Sequence, residues 1–133
     1  MEFEGGCYCG QVRYRFEGEP LFQGQCHCRE CQYVSGGSPN MVLGVPHDGF
    51  SYTKGEPAQF TRDDLETPVT RDFCGNCGTH ILARPPGFPG LALKVGTMDD
   101  SSAFSPQMAI FTCDAQPYHQ IADGVAQFER APG

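Results

Sequence analysis

A chain of 133 residues that carries Cys7-Tyr8-Cys9 near its start and Cys74-Gly75-Asn76-Cys77 past its middle must bring two remote segments together if these sulfurs are to share an ion. Between them lies Cys26-His27-Cys28-Arg29-Glu30-Cys31, so seven of the eight cysteines sort as two, three and two. Zinc takes four protein ligands in a closed structural site, and three plus an open position in a catalytic one. The two pairs, about 65 residues apart, make a set of four. The triplet is one short. The expectation is therefore two Zn2+ per chain, a structural one on Cys7, Cys9, Cys74 and Cys77 and a catalytic one on Cys26, Cys28 and Cys31.

The length suits a single domain over residues 1–133, with a modest core that metal crosslinks would reinforce. Seventeen glycines and eleven prolines favour turns and short strands over helices. A formal charge of −7, with nine Lys and Arg scattered along the chain, opposes nucleic-acid binding, which needs clustered positive charge. An anionic substrate would have to draw on Arg13, Arg15, Arg29, Arg71, Arg84 or Lys94. Met1 to Gly10 lacks a basic or apolar leader, and no apolar run reaches membrane-spanning length. The expected setting is cytoplasmic, where thiols stay reduced and Cys-x-x-Cys binds metal or cycles redox state rather than stapling the chain. No thioredoxin-like strand-helix-strand pattern surrounds Cys74 and Cys77, which favours metal.

Gln11 to Phe16 alternates polar and apolar residues, with Val12, Tyr14 and Phe16 on one face, and reads as a half-buried strand. Cys7 and Cys9, flanked by Gly5-Gly6 and Gly10, read as extended, with both side chains on one side. Leu21 to Gln25 reads as a strand that delivers the triplet, and Ser35 to Asn40 as a loop. Further strands are expected at Met41–Val45, Phe50–Thr53, Val69–Phe73, His80–Ala83, Leu91–Val95 and Met108–Phe111. Val69–Phe73 and His80–Ala83 flank Cys-x-x-Cys-Gly in the outline of a zinc knuckle, with Gly78 free to take positive φ. Asp99 to Ser102 reads as a turn or helix start, and Pro117 to Gly133 as an irregular tail. The fold class is mainly β, built of short antiparallel strands.

The spacing of Cys26, Cys28 and Cys31 suits a compact loop that puts three sulfurs on one ion. A closed site would need a fourth ligand, from His27, His80 or Cys113. His27, between two ligands, would point away from them; His80 reads as a hydrogen-bonded packing residue; Cys113 reads as a small buried hydrophobe. An open position is the favoured reading, and a closed, non-catalytic zinc-binding or interaction module is the alternative. His47 and His119 read as solvated, and Asp63-Asp64 and Asp99-Asp100 as turn residues or caps. There is no catalytic triad spacing, phosphate loop or dinucleotide fingerprint.

Gly6-Cys7-Tyr8-Cys9-Gly10 with Val12-Arg13-Tyr14, then Cys26 to Gln32, then Phe73-Cys74-Gly75-Asn76-Cys77-Gly78-Thr79 together resemble the glutathione-dependent formaldehyde-activating family, which includes the centromere protein V type. The likeness extends to Gly96-Thr97-Met98-Asp99-Asp100 and, more loosely, to the tail. It implies a β-tent fold with a zinc-ribbon-like core, a structural zinc on Cys7, Cys9, Cys74 and Cys77, and a catalytic zinc on Cys26, Cys28 and Cys31. It further implies carbon-sulfur lyase chemistry on a small-molecule thiol, the reversible addition of formaldehyde to glutathione; nucleic-acid binding, as for the centromere-protein branch, is disfavoured by the acidic charge, and no membrane partner is expected. Members often carry an aromatic pair, commonly with tryptophan, where this chain has Gln116-Pro117-Tyr118-His119. On this reading the triplet zinc lowers the pKa of the incoming thiol, and His27 or Tyr118 handles the proton.

Overall fold

The apolar stripe Val12, Tyr14 and Phe16 organises the core, and all three side chains are buried. In the computed structural model, which describes residues 1–132, the elements in chain order are β1 (Glu2–Gly6), β2 (Arg13–Glu17), β3 (Phe22–Cys26), α1 (Arg29–Ser35), β4 (Asn40–Pro46), β5 (Phe50–Lys54), β6 (Ala58–Thr61), β7 (Thr70–Phe73), β8 (His80–Arg84), β9 (Gly90–Lys94), β10 (Met108–Ile110) and β11 (Ala126–Gln127). Strands β1, β2 and β5 form a three-stranded antiparallel sheet in the order β1-β2-β5. The other eight form a second sheet in the order β11-β10-β3-β4-β9-β8-β7-β6, antiparallel except that β10 runs parallel to both β3 and β11.

The core lies between the sheets. Alternation along a strand sends successive side chains to opposite faces, so β4 gives it Leu43 and Val45, β9 gives Leu91 and Leu93, and β8 gives Leu82. Tyr14 and Phe16 meet them from β2, with Phe3 and Phe50 beside them at ring separations of 5.4 and 5.3 Å. Tyr14 hydroxyl shares a 2.7 Å hydrogen bond with Thr97 Oγ1, which donates to the Lys94 carbonyl. Burial pushes the Tyr14 phenol up to about 12. Gly5 passes so close to this junction that any Cβ would overlap the Thr97 carbonyl and the Tyr14 hydroxyl. Its lack of a side chain is a requirement of packing.

Asp72 on β7 points into the same interface and is fully buried. Tyr52 from the small sheet, Gln59 from β6 and Arg84 from β8 all donate to its carboxylate. Burial opposes the charge, yet the Arg84 guanidinium and the Tyr52 hydroxyl hold the carboxyl below its usual range. The joint between the sheets is thus fastened by a fully satisfied polar group as well as by apolar packing.

The mainly β expectation holds, and each strand expected from the sequence is present within one or two residues of its expected ends. Four features differ. Glu2–Gly6 forms a strand because its backbone pairs with all of β2, although its residues show no apolar alternation. Ala58–Thr61 pairs with β7 as the last strand of the large sheet. Arg29–Ser35 is a helix, where the spacing of Cys26, Cys28 and Cys31 suggested a compact loop: Cys28 caps it, its Sγ accepting the Cys31 N–H at 3.3 Å, and Gly36 ends it in the left-handed region at φ 76°. The tail is not wholly irregular, since Ala126–Gln127 adds a parallel strand and Phe128 N–H donates to the Ala109 carbonyl.

Candidate metal centres

The turn after β1 carries Cys7 and Cys9, and the turn between β7 and β8 carries Cys74 and Cys77, so the first cluster bridges the small sheet to the large one. All four sulfurs lie within 4.8 Å of one another. Two separations are 3.6 Å, Cys7 to Cys9, and 3.8 Å, Cys9 to Cys74. A tetrahedron with zinc–sulfur bonds of about 2.3 Å has edges of about 3.8 Å. The donor set fits such an ion in identity, number and spacing. Cys7 and Cys9 do not reach it from an extended backbone as their spacing suggested; Gly10 N–H donates to the Cys7 carbonyl and closes a turn that swings both sulfurs inward.

Amide groups converge on these sulfurs. Val12 N–H reaches Cys7 at 3.3 Å, Asn76 N–H reaches Cys74 at 3.4 Å, and Asn76 Nδ2 reaches Cys9 at 3.3 Å. Such donors stabilise the thiolate over the thiol. Burial pushes the Cys7 thiol up, but the Val12 N–H and the neighbouring thiols outweigh it and the net shift is downward. Thr79, donating through hydroxyl and backbone, holds Cys77 at about 5. Gly78, at φ 79°, makes the turn that frees these amides.

The second cluster sits where β3 runs into α1. Cys26 ends the strand, Cys28 caps the helix, and Cys31 is one turn in, its three sulfurs within 4.8 Å of each other. Asn40, buried at the start of β4 and paired with Cys26 across the sheet, donates through Nδ2 to Cys31 Sγ at 3.4 Å. The cluster is electrically lopsided. Hydrogen bonds from the Cys26 and Cys28 thiols, with smaller help from Asn40 and the Lys94 charge, hold Cys31 at about 2, whereas Cys26 is pushed up because its proton is shared onto its two neighbours.

Among the described residues, no fourth His, Cys, Asp or Glu joins this group. His27 points away, as expected, and is completely buried. Gln25 Nε2 meets its Nε2 at 2.9 Å and also donates to the Gln120 carbonyl, so the amide is the donor and His27 carries its proton on Nδ1. That proton is shared at 2.9 Å with His119 Nδ1, which also accepts the Gln116 N–H, and His119 Nε2 donates to the Gly37 carbonyl at 2.8 Å. Burial and the nearby His119 push the His27 imidazole down, in keeping with its neutral role. Both His27 nitrogens are therefore engaged in fastening the tail over α1. His119, read as solvated, is a half-buried member of that fastening; Cys113, read as a buried hydrophobe, is exposed. His47 is exposed, as expected, and Tyr118 is exposed beside His119.

The sequence reading overlooked Asn40 and took His119 for a solvated side chain. Asn40 closes a Gly/Pro-rich loop, which is where polar residues usually face solvent, and only its pairing with Cys26 reveals it. Lys94 was noted only as a charge source; it is buried, and its Nζ has no hydrogen-bond partner among the described residues. Burial pulls its ammonium down to about 8, against the pull of the Cys31 thiolate.

Comparison with known proteins agrees with this architecture. The profile of one protein family, described as glutathione-dependent formaldehyde-activating enzyme, matches residues 2–114. Among curated proteins, none matches the chain. A crystal structure of a Rhodobacter sphaeroides protein superposes with a TM-score of 0.59 at 16% identity, covering 72% of this chain and 87% of that one, a likeness of fold alone. Because the family match runs over most of the chain and takes in all seven clustered cysteines, the chain belongs to the glutathione-dependent formaldehyde-activating enzyme family.

Proposed function

We propose that the protein is a zinc-dependent enzyme of the carbon-sulfur lyase type, S-hydroxymethylglutathione synthase-like, that forms and breaks the adduct between a small thiol and an aldehyde. The observation that carries this reading is the asymmetry of the two clusters: four mutually adjacent sulfurs in one, and three in the other with no further His, Cys, Asp or Glu among the described residues. Cys7, Cys9, Cys74 and Cys77 hold a structural ion that crosslinks the sheets, its binding free energy adding to that of folding. Cys26, Cys28 and Cys31 hold the catalytic one. When bound there, a zinc ion supplies an open coordination position at which a substrate thiol is kept as its thiolate.

The chain's own groups set the character of that position. Three thiolates donate strongly, and the Asn40 amide tempers Cys31 by taking part of its charge. In the synthetic direction one sulfur–carbon bond forms, the carbonyl π bond breaks, and the proton that left sulfur ends on the new hydroxyl oxygen. No oxidant or reductant is needed. Glutathione is the thiol and formaldehyde the aldehyde that family membership suggests. The proposed setting is cytoplasmic, where thiols stay reduced and free to bind metal; no helix among the described residues is long and apolar enough to cross a membrane.

Two-dimensional NMR exchange spectroscopy of glutathione and formaldehyde measures the interconversion of free and hydroxymethylated thiol directly. Zinc-loaded protein is expected to raise the exchange rate in proportion to its concentration, and the Cys28→Ser variant to lose most of that effect. An exchange rate unchanged by stoichiometric protein would refute the activity.

A further inference from the structure

A lysine ammonium is seldom enclosed without a partner, yet Lys94 is only 8% exposed, and its Nζ is sealed from solvent with no hydrogen-bond partner among the described residues. Its place follows from the register of the large sheet. Leu43 pairs with Leu93 and both belong to the core, so their neighbours Val42 and Lys94, also paired, face the other way. Asn40 lies two residues before Val42 and pairs with Cys26. Directly paired residues share a face, as do residues two apart along a strand. Cys26, Asn40, Val42 and Lys94 therefore project together, on the side from which Asn40 Nδ2 reaches Cys31 Sγ at 3.4 Å.

The charged surroundings of this ammonium are lopsided. Cys31, Cys26 and Cys28 attract it, and Arg71 repels it. Glu30 is paired with Arg71 at 3.0 Å, and the buried Asp72 faces the core, where Arg84, Tyr52 and Gln59 hold it. Sulfur is the anion left to Lys94. To hold a metal, each of the three thiols must give up its proton. A divalent ion with three thiolates carries one net negative charge, and a fourth thiolate at an open position raises this to two. Inside a protein such charge is unfavourable unless a cation answers it, and a cation sealed from solvent answers it with little screening.

We infer that Lys94 is the internal counterion of the triplet site: its ammonium offsets the negative charge that Cys26, Cys28 and Cys31 confer on a bound divalent ion, and so secures both that ion and a thiolate arriving as its fourth ligand. This rests on the reading of the three cysteines as a metal site with an open position. Lys94 is a positioning residue in this scheme, acting through the charge of the whole site, whereas Asn40 acts on one sulfur through a hydrogen bond. The unpartnered ammonium and the three-sulfur cluster, each unsatisfied alone, satisfy one another once metal is bound.

The test is chelator competition on full-length, zinc-loaded protein, wild type against Lys94→Met, which keeps the length and apolar stem of the side chain and removes its charge. The affinity for the labile zinc is expected to fall about tenfold, as for other groups that support metal ligands, while the tightly held zinc is unchanged. The variant should melt no lower than wild type, because an enclosed charge has been removed. In the cobalt-loaded proteins, binding of 2-mercaptoethanol, followed by its sulfur-to-cobalt charge-transfer band, should weaken by a similar factor. The wild type offers a check that needs no substitution, since Lys54, which is exposed, is the only other lysine. Carbon-13 NMR of protein labelled at lysine Cε should show the Lys94 signal move when the labile zinc is removed and the Lys54 signal stay. Labile-zinc affinity unchanged within about twofold in Lys94→Met, or a Lys94 signal indifferent to that zinc, would overturn the inference, the second even where the variant does not fold. Both zincs weakened together, with a lower melting temperature, would mark a structural residue and overturn it as well. A wild-type protein whose triplet takes up no zinc would instead overturn the metal reading on which the inference rests.

Discussion

Replacing Asp72 by asparagine keeps the size of a side chain that is fully buried between the sheets but removes its charge and one of its acceptor oxygens. The carboxylate now accepts from Tyr52 Oη at 2.7 Å, Gln59 Nε2 at 3.0 Å, and Arg84 Nε and Nη2 at 3.1 and 2.9 Å. Asparagine can accept at only one side, so two of the four donors lose their acceptor and both face an amide NH2 instead. Hydrogen bonds to charged groups contribute about 1.5 to 3 kcal/mol each. The Arg84 side chain is 36% exposed and can turn to water, which places its share at the low end. The expected loss is about 2 to 3 kcal/mol. With an unfolding entropy near 2 cal/mol/K per residue, that lowers Tm by about 7 to 11 °C in metal-saturated buffer. The Asp72 pKa is depressed on folding, so its contribution is present above the unfolded value near 3.9 and is lost as pH falls through the lower folded value. The gap between wild type and variant should therefore be full at neutral pH and shrink below about pH 4. Urea denaturation across pH, at equal metal loading, reads both. A Tm shift under about 3 °C, or a gap that widens in acid, would refute the argument.

Other outcomes follow from the same contacts. Cys74→Ser should lower metal content by about one equivalent and reduce thermal stability, checked by elemental analysis and calorimetry, because Cys74 belongs to the cluster that joins the sheets. Cys113→Ser should leave metal content and exchange activity as they are, since Cys113 is exposed and outside both clusters; loss of a metal would show it to be a ligand. His119→Ala removes the acceptor for His27 Nδ1–H and the donor to Gly37. It should cost about 1 to 2 kcal/mol and speed amide exchange at Phe128, whose N–H pairs with Ala109, while both metals stay bound. Gly5→Ala should destabilise the protein severely, because its Cβ would overlap backbone and a buried tyrosine; near wild-type Tm would contradict the packing.

What could be read from the chain follows the reach of the physical signals. Val12, Tyr14 and Phe16 betray their strand because alternate burial forces alternate polarity. The cysteine clusters are legible because a metal site needs several ligands of one type at close spacing, a demand few other features make. β1 shows no such pattern: Glu2 to Gly6 is held by backbone pairing to β2, and two of its five residues are glycines needed for close approach. α1 is only seven residues long and begins on a cysteine cap, so it offers too little periodicity to reveal itself. His119 and Lys94 acquire their roles from partners 92 and 63 residues away, on the tail and beside Cys31 respectively, pairings that only the folded topology creates.

The proposed function turns on a difference between two sulfur clusters, one of four cysteines and one of three. Zinc per chain, measured on the purified protein before and after a graded series of chelator concentrations, tests it most directly. The predicted result is two equivalents, one released by mild chelation with loss of exchange activity, the other retained until the protein unfolds. Two equivalents released together, or a single equivalent unaffected by Cys28→Ser, would contradict it.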